Sequence, residues 1–177
     1  MADAGETDTA TESRRHAAIN VLNSRLPRKR NIAQGLLRNE DGEVLLCELA
    51  YKGEWDLPGG VVDPKESPAA CVVREISEEL GVAVGVDGLS AVNWLPPWRG
   101  WDDAVLFLFD LGSVERSFAE GLTLLRREIK AVHWVAPADL ADHVAPYTAL
   151  MLERVLAGDA PAYPIYLENS ETPGGMG

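Results

Sequence analysis

Apolar and polar positions change period several times along the chain, and each change marks an element. The runs IAQGLLR (from Ile32) and EVLLCELA (from Glu43) flank Asn39-Glu40-Asp41-Gly42, a turn-forming cluster, and so predict a β-hairpin. GEWDLPGG reads as a short strand ending at Pro58-Gly59-Gly60. The period then becomes helical. Ala69, Val73, Ile76 and Leu80 fall on one narrow arc with Val72 beside it. Ser67 suits the N-cap, Pro68 the first helical position and Gly81 the exit. Strands are predicted around Val82 to Trp94 (interrupted at Gly85 and Gly88), from Ala104 to Leu111 and from Ile129 to Val135, with a charge-rich loop from Gly112 to Arg127. Pro137 starts a short helix through Leu140, and Tyr147 to Leu156 reads as a final amphipathic helix. Ahead of all these, Ala17, Ala18, Val21 and Leu22 predict a helix over Arg14 to Arg25, set off by Pro27 and the basic cluster Arg28-Lys29-Arg30.

This order of elements implies an α+β domain with a mixed sheet between helices. The expected organisation is a disordered tail over 1–13, a helix and linker over 14–30, the domain proper over 31–157 and an irregular tail rich in Pro and Gly over 158–177. At 177 residues the chain is long enough for one substantial core. Its formal net charge of −12 excludes a nucleic-acid polymer and an anionic membrane as expected partners, because both need clustered cations. A small phosphorylated substrate stays compatible, provided a cation screens the site. Cys47 and Cys71 both sit in apolar stretches, which fits a reducing cytoplasm, and the opening residues lack the apolar core of a signal peptide. A soluble, cytoplasmic protein is expected.

Chemistry concentrates in GVVDPKESPAACVVREISEELGV, Gly60 to Val82. On the predicted helix Glu75, Glu78 and Glu79 stand at i, i+3 and i+4, so three carboxylates crowd together and repel. A solvated acidic face is the plain reading of such a helix. The Gly-Gly turn before it, however, lets backbone approach a ligand closely, and a hard divalent cation seeks oxygen donors. The stretch satisfies all nine specified positions of G-x5-E-x7-R-E-U-x-E-E-x-G-U, with U aliphatic, a coincidence rarer than about one in a million at average residue frequencies. It resembles the Nudix box, the signature of hydrolases that cleave nucleoside diphosphates linked to another group.

That resemblance implies the Nudix fold, an α/β/α sandwich with a mixed β-sheet, over roughly Asn31 to Leu156. It also implies a Mg2+ (or Mn2+) site made of Glu75, Glu78, Glu79 and the Gly59 carbonyl. Glu66 is expected behind these ligands or at a further metal, and Arg74 is expected to orient a catalytic glutamate. The reaction implied is attack of water at phosphorus, with the metal neutralising and aligning the diphosphate. Glu128, just before a predicted strand, resembles a metal-binding or base glutamate of some family members; Glu120, Glu75 and Glu79 stay open as the base. A homodimer is expected by analogy alone.

The substrate is less legible. Trp98 and Trp101, with Arg99, are candidates to stack on a base and meet a phosphate; the plain alternative for each tryptophan is packing. Pro97 hints at ADP-ribose, whereas WDLPGG is compatible with nucleoside triphosphates. Both substrate classes remain open, beside prenyl diphosphates, an isopentenyl diphosphate isomerase-like enzyme and an inactive nucleotide-binding module. His133 and His143 show no ligand spacing and are expected to be structural or exposed.

Overall fold

The computed structural model describes residues 5–157 and 164–170, with side chains from residue 11 onward. Helix α1 (Gly5–Arg25) comes first, and its residues from 11 on are exposed. It starts at Gly5, well before the Arg14 at which the sequence pattern places it. Between Gly5 and Pro27 no proline or further glycine interrupts the helical hydrogen bonds.

The domain is built around β1 (Arg30–Asn39). At its far end Asn39 Oδ1 accepts hydrogen bonds from the N–H groups of Asp41 and Glu43, closing the predicted turn into β2 (Val44–Leu49). The two strands pair where Arg38 faces Val44 and then diverge. Into the gap comes β3 (Gly59–Val61), with Gly59 opposite Gln34 and Gly60 opposite Ala33. Only this piece of the expected GEWDLPGG strand pairs as a strand. Pro58 supplies no donor, and Trp55 and Asp56 make single bridges to Val144 and Cys47 instead.

Helix α2 (Pro68–Leu80) follows, then β4 (Gly88–Leu95), β5 (Ala104–Val114), β6 (Ile129–Val135), helix α3 (Pro146–Leu156) and β7 (Ile165–Glu168). Short 3-10 turns cover Arg116–Gly121 and Pro137–Asp142. The sheet order is β6-β2-β1-β5-β4-β7, with β3 on β1. It is mixed, as expected: β1–β5 and β4–β7 are parallel and the other pairs antiparallel. The strand expected from Val82 begins only at Gly88. β7 falls within the tail beyond the expected domain boundary. Its four residues carry too short a pattern to read alone, and they pair because the edge of β4 offers unpaired backbone groups.

Alternation along β1 sends Ala33 and Leu37 to one side, against Cys71, Val72, Ile76 and Leu80 of α2. Leu36 points to the other side, into a second core with Met151 and Leu152 of α3. The result is the α/β/α sandwich, with α2 against one face at β1 and β3 and α3 against the other. Among the described residues no helix is long and apolar enough to cross a membrane.

Candidate active site

Helix α2 has the ends its sequence predicts. The Ser67 hydroxyl accepts from the Ala70 N–H at 3.2 Å, Pro68 opens the helix, and Gly81 leaves it with φ 69° while donating to the Ser77 carbonyl. The buried stripe of the helix is not wholly apolar: it contains Glu79, only 7% exposed. One carboxylate oxygen of Glu79 accepts the Gly59 N–H at 3.1 Å. Burial pushes the Glu79 carboxyl up to about 8, against the pull of that N–H, and the charges of Glu75, Glu128 and Asp56 push the same way.

The two glycines beside it are fixed by space. Gly59 has φ 139°, and a Cβ there would lie 2.2 Å from the Ala33 carbonyl oxygen. At Gly60 a Cβ would lie 2.5 Å from Glu75 Oε1. The turn thus lies hard against β1 on one side and the Glu75 carboxylate on the other.

Arg74 organises the remaining acids. Its guanidinium donates through Nε and Nη2 to both oxygens of Glu66, at 2.8 and 3.0 Å, and through Nη1 to Glu75 at 2.9 Å and Glu78 at 3.4 Å. This fork holds the Glu66 carboxyl down at about 2, helped by the Asp63 N–H. Glu75, by contrast, is raised by burial, partly offset by Arg74. Glu78 points outward, with its side chain 57% exposed. Glu128 stands immediately before β6, where its carbonyl accepts the Ala50 N–H. Its charge is felt by both Glu75 and Glu79, and its own ion pair is with the exposed Arg127. The fold therefore brings Glu128 from a distant part of the sequence toward the carboxylates of α2.

The NUDIX domain model matches residues 28–155. The chain belongs to the Nudix family. A MutT-like protein of Streptomyces ambofaciens is 35% identical over 127 residues, covering 72% of this chain and 77% of that protein. Nucleoside triphosphatase NudI of Escherichia fergusonii is 32% identical over 152 residues, covering 73% of this chain and 99% of its own length. Among solved structures, the MutT protein of Methanosarcina mazei Go1 aligns with a TM-score of 0.62 at 27% identity, over 73% of this chain and 96% of that one. A UDP-X diphosphatase reaches a TM-score of 0.66 at 19% identity, over 86% and 74%, a likeness of fold alone.

Nudix enzymes typically use a divalent metal, and the donor chemistry here suits one. Glu79 is a buried carboxylate facing further acids, and among the described residues no cation pairs with it. A hard cation would supply the missing positive charge. As they stand, no three His, Cys, Asp or Glu side chains of the described residues form a ready cage.

Trp98 and Trp101 exchange backbone hydrogen bonds across the turn Arg99-Gly100, at the tip of the β4–β5 hairpin. Each residue is 63% exposed. Arg99 lies over Trp98 at 4.2 Å and Arg30 over Trp101 at 4.7 Å. Arg30 begins β1, four positions before the Gln34 that pairs with Gly59, a rise of roughly 13 Å. Glu120, the competitor for the base, falls in the 3-10 turn Arg116–Gly121.

A second polar group, on the opposite face of the sheet, escaped the sequence reading. Asp56 accepts from Gln34 Nε2 at 2.9 Å, from Lys52 at 3.2 Å and from the Leu57 N–H at 3.0 Å. Gln34 is 5% exposed and its Oε1 is buried without a partner. The signal in the sequence was a lone glutamine in the apolar run IAQGLLR, and nothing there named its partner.

Proposed function

We propose that the protein is a divalent-cation-dependent pyrophosphohydrolase of nucleoside triphosphates, in which water attacks phosphorus and a nucleoside monophosphate and pyrophosphate leave. The observation that carries this reading is the buried Glu79, fixed by the Gly59 N–H beside the Arg74-bound Glu75 and uncompensated by any cation among the described residues. The similarity to nucleoside triphosphatase NudI along nearly all of that protein's length supports the triphosphate over a nucleotide sugar.

In this reading Glu75, Glu78, Glu79 and the Gly59 carbonyl hold Mg2+ or Mn2+, with Glu128 at its margin. The metal supplies charge neutralisation and a more acidic water when bound. Arg74 fixes Glu75 and, through Glu66, the loop before the helix. The ion-pair partner of Glu128, Arg127, is exposed, whereas Glu75 is held by the Arg74 fork and the buried Glu79 by the Gly59 N–H; we assign Glu128 the water's proton. Trp98, Arg99 and Trp101 offer a stacking surface at the Arg30 end of β1.

Product analysis decides the substrate. With Mg2+ and a panel of nucleotides, pyrophosphate release is expected from triphosphates; two monophosphates from ADP-ribose alone would move the protein to the nucleotide sugars. Glu78→Gln and Glu79→Gln should each lower kcat by about 100-fold or more. Undiminished turnover in both would remove the metal assignment.

A further inference from the structure

Trp55 is gripped from both faces. The imidazole of His133 lies 3.9 Å from its ring at an interplanar angle of 7°, and that of His143 lies 4.2 Å away at 9°. The three rings come from separate parts of the fold: β6, the turn after Pro137–Asp142, and the loop between β2 and β3. Glu48 of β2 meets His133 Nε2 at 3.2 Å and Lys130 at 3.6 Å, so one ring of the grip is itself tethered. The Trp55 backbone is held as well, its N–H donating to the His143 carbonyl at 2.8 Å.

What this grip restrains is the approach to Gly59. Residues 50–54 are all exposed, and Trp55 is the first fixed point after them. From there the chain is anchored step by step. Asp56 exchanges two backbone bonds with Cys47, the Pro58 carbonyl accepts from Gly35, and Gly59 donates to Glu79. An indole between two parallel rings can slide only in its own plane, and its backbone bond to His143 opposes that slide. We infer that Trp55, clamped between His133 and His143, is a positioning residue that keeps the exposed loop from disturbing the Gly59 N–H against the Glu79 carboxylate. This rests on the hydrolase reading for its consequence, though not for its geometry.

Two readouts separate positioning from ordinary packing. Amide hydrogen exchange at Gly59 is compared with that at Leu106, in the middle of β5, for wild type, Trp55→Phe and Trp55→Leu without metal. Trp55→Leu should speed exchange at Gly59 by about tenfold more than at Leu106, while Trp55→Phe, which can still stack, stays near wild type. The kcat should fall in the leucine variant with KM little changed. Equal acceleration at the two amides, or a phenylalanine variant as impaired as the leucine one, overturns the proposal. If Trp55→Leu does not fold, the double variant His133→Leu/His143→Leu carries the same comparison. A wild-type protein inert toward every nucleotide would sink the hydrolase reading, while the exchange data would still decide the clamp.

Discussion

Glu78 and Glu79 are neighbours in the chain, yet a helix turns about 100° per residue, so one side chain faces water while the other enters the core side of α2. Buried carboxylates need partners, and Glu79 has one, the Gly59 N–H, which exists there only because Gly59 can take φ 139° against β1. Gly60 meets a softer limit, since the atom 2.5 Å from where a Cβ would stand is Glu75 Oε1, at the end of a flexible side chain. Gly60→Ala must therefore displace the Glu75 carboxylate from Arg74 or push α2 away from β3. Because the Glu75 carboxylate can give way, we expect a loss of no more than about 1 kcal/mol in urea unfolding but a fall in kcat of roughly 100-fold, since small displacements of reacting groups are costly. A variant with wild-type kcat would show that Glu75 can move without penalty. The sequence made these residues legible as a set but not their roles. It named Glu75, Glu78 and Glu79 together, whereas their different burial depends on where β1 and β3 press against the helix.

Helix α2 is the element read best, because its boundaries are written locally. Ser67, Pro68 and Gly81 each act through geometry within a few residues, and the helix runs between them as predicted. Removing the cap tests that reading. Ser67→Ala deletes the acceptor for the Ala70 N–H and should cost about 1 kcal/mol in thermal or urea melts, with kcat close to wild type because Ser67 touches none of the carboxylates. A large loss of activity would mean that the start of the helix also sets the Glu66–Arg74 fork. Elements defined by distant partners were not legible in this way. β7 is four residues long and gains its identity from β4, and Trp55 gains its two histidine neighbours only after β6 and the segment before α3 have come together. His133 and His143 were expected to be structural or exposed; each is half-buried against the same indole. The pairing of β1 with both β2 and β3 likewise follows from sheet closure rather than from either strand's pattern.

Over the whole molecule, these site acids tie folding to pH. With a net charge of −12 the folded chain already works against its own repulsion, and Glu79 concentrates that cost in one place. Its carboxyl sits at about 8 in the fold against an ordinary value of 4.5. Between those limits the native protein keeps a proton that the unfolded chain has released, so this group favours the fold at low pH and the benefit is lost as pH rises toward 8. Glu75, raised in the same direction by burial, adds to the trend. Glu66 works with the opposite sign, but its carboxyl, held at about 2, has already delivered its stabilisation above pH 4.5. In the metal-free protein Tm should therefore fall from pH 5 to pH 8, and Glu79→Gln should flatten the fall, leaving the variant at least about 2 °C more stable than wild type at pH 8. Millimolar Mg2+ should raise the wild-type Tm more at pH 8 than at pH 5, because a cation binds the ionised carboxylate and competes with its proton. Scanning both proteins with and without Mg2+ at the two pH values checks both arms. Parallel curves for wild type and Glu79→Gln would mean that the strain of this acidic site is carried by other groups.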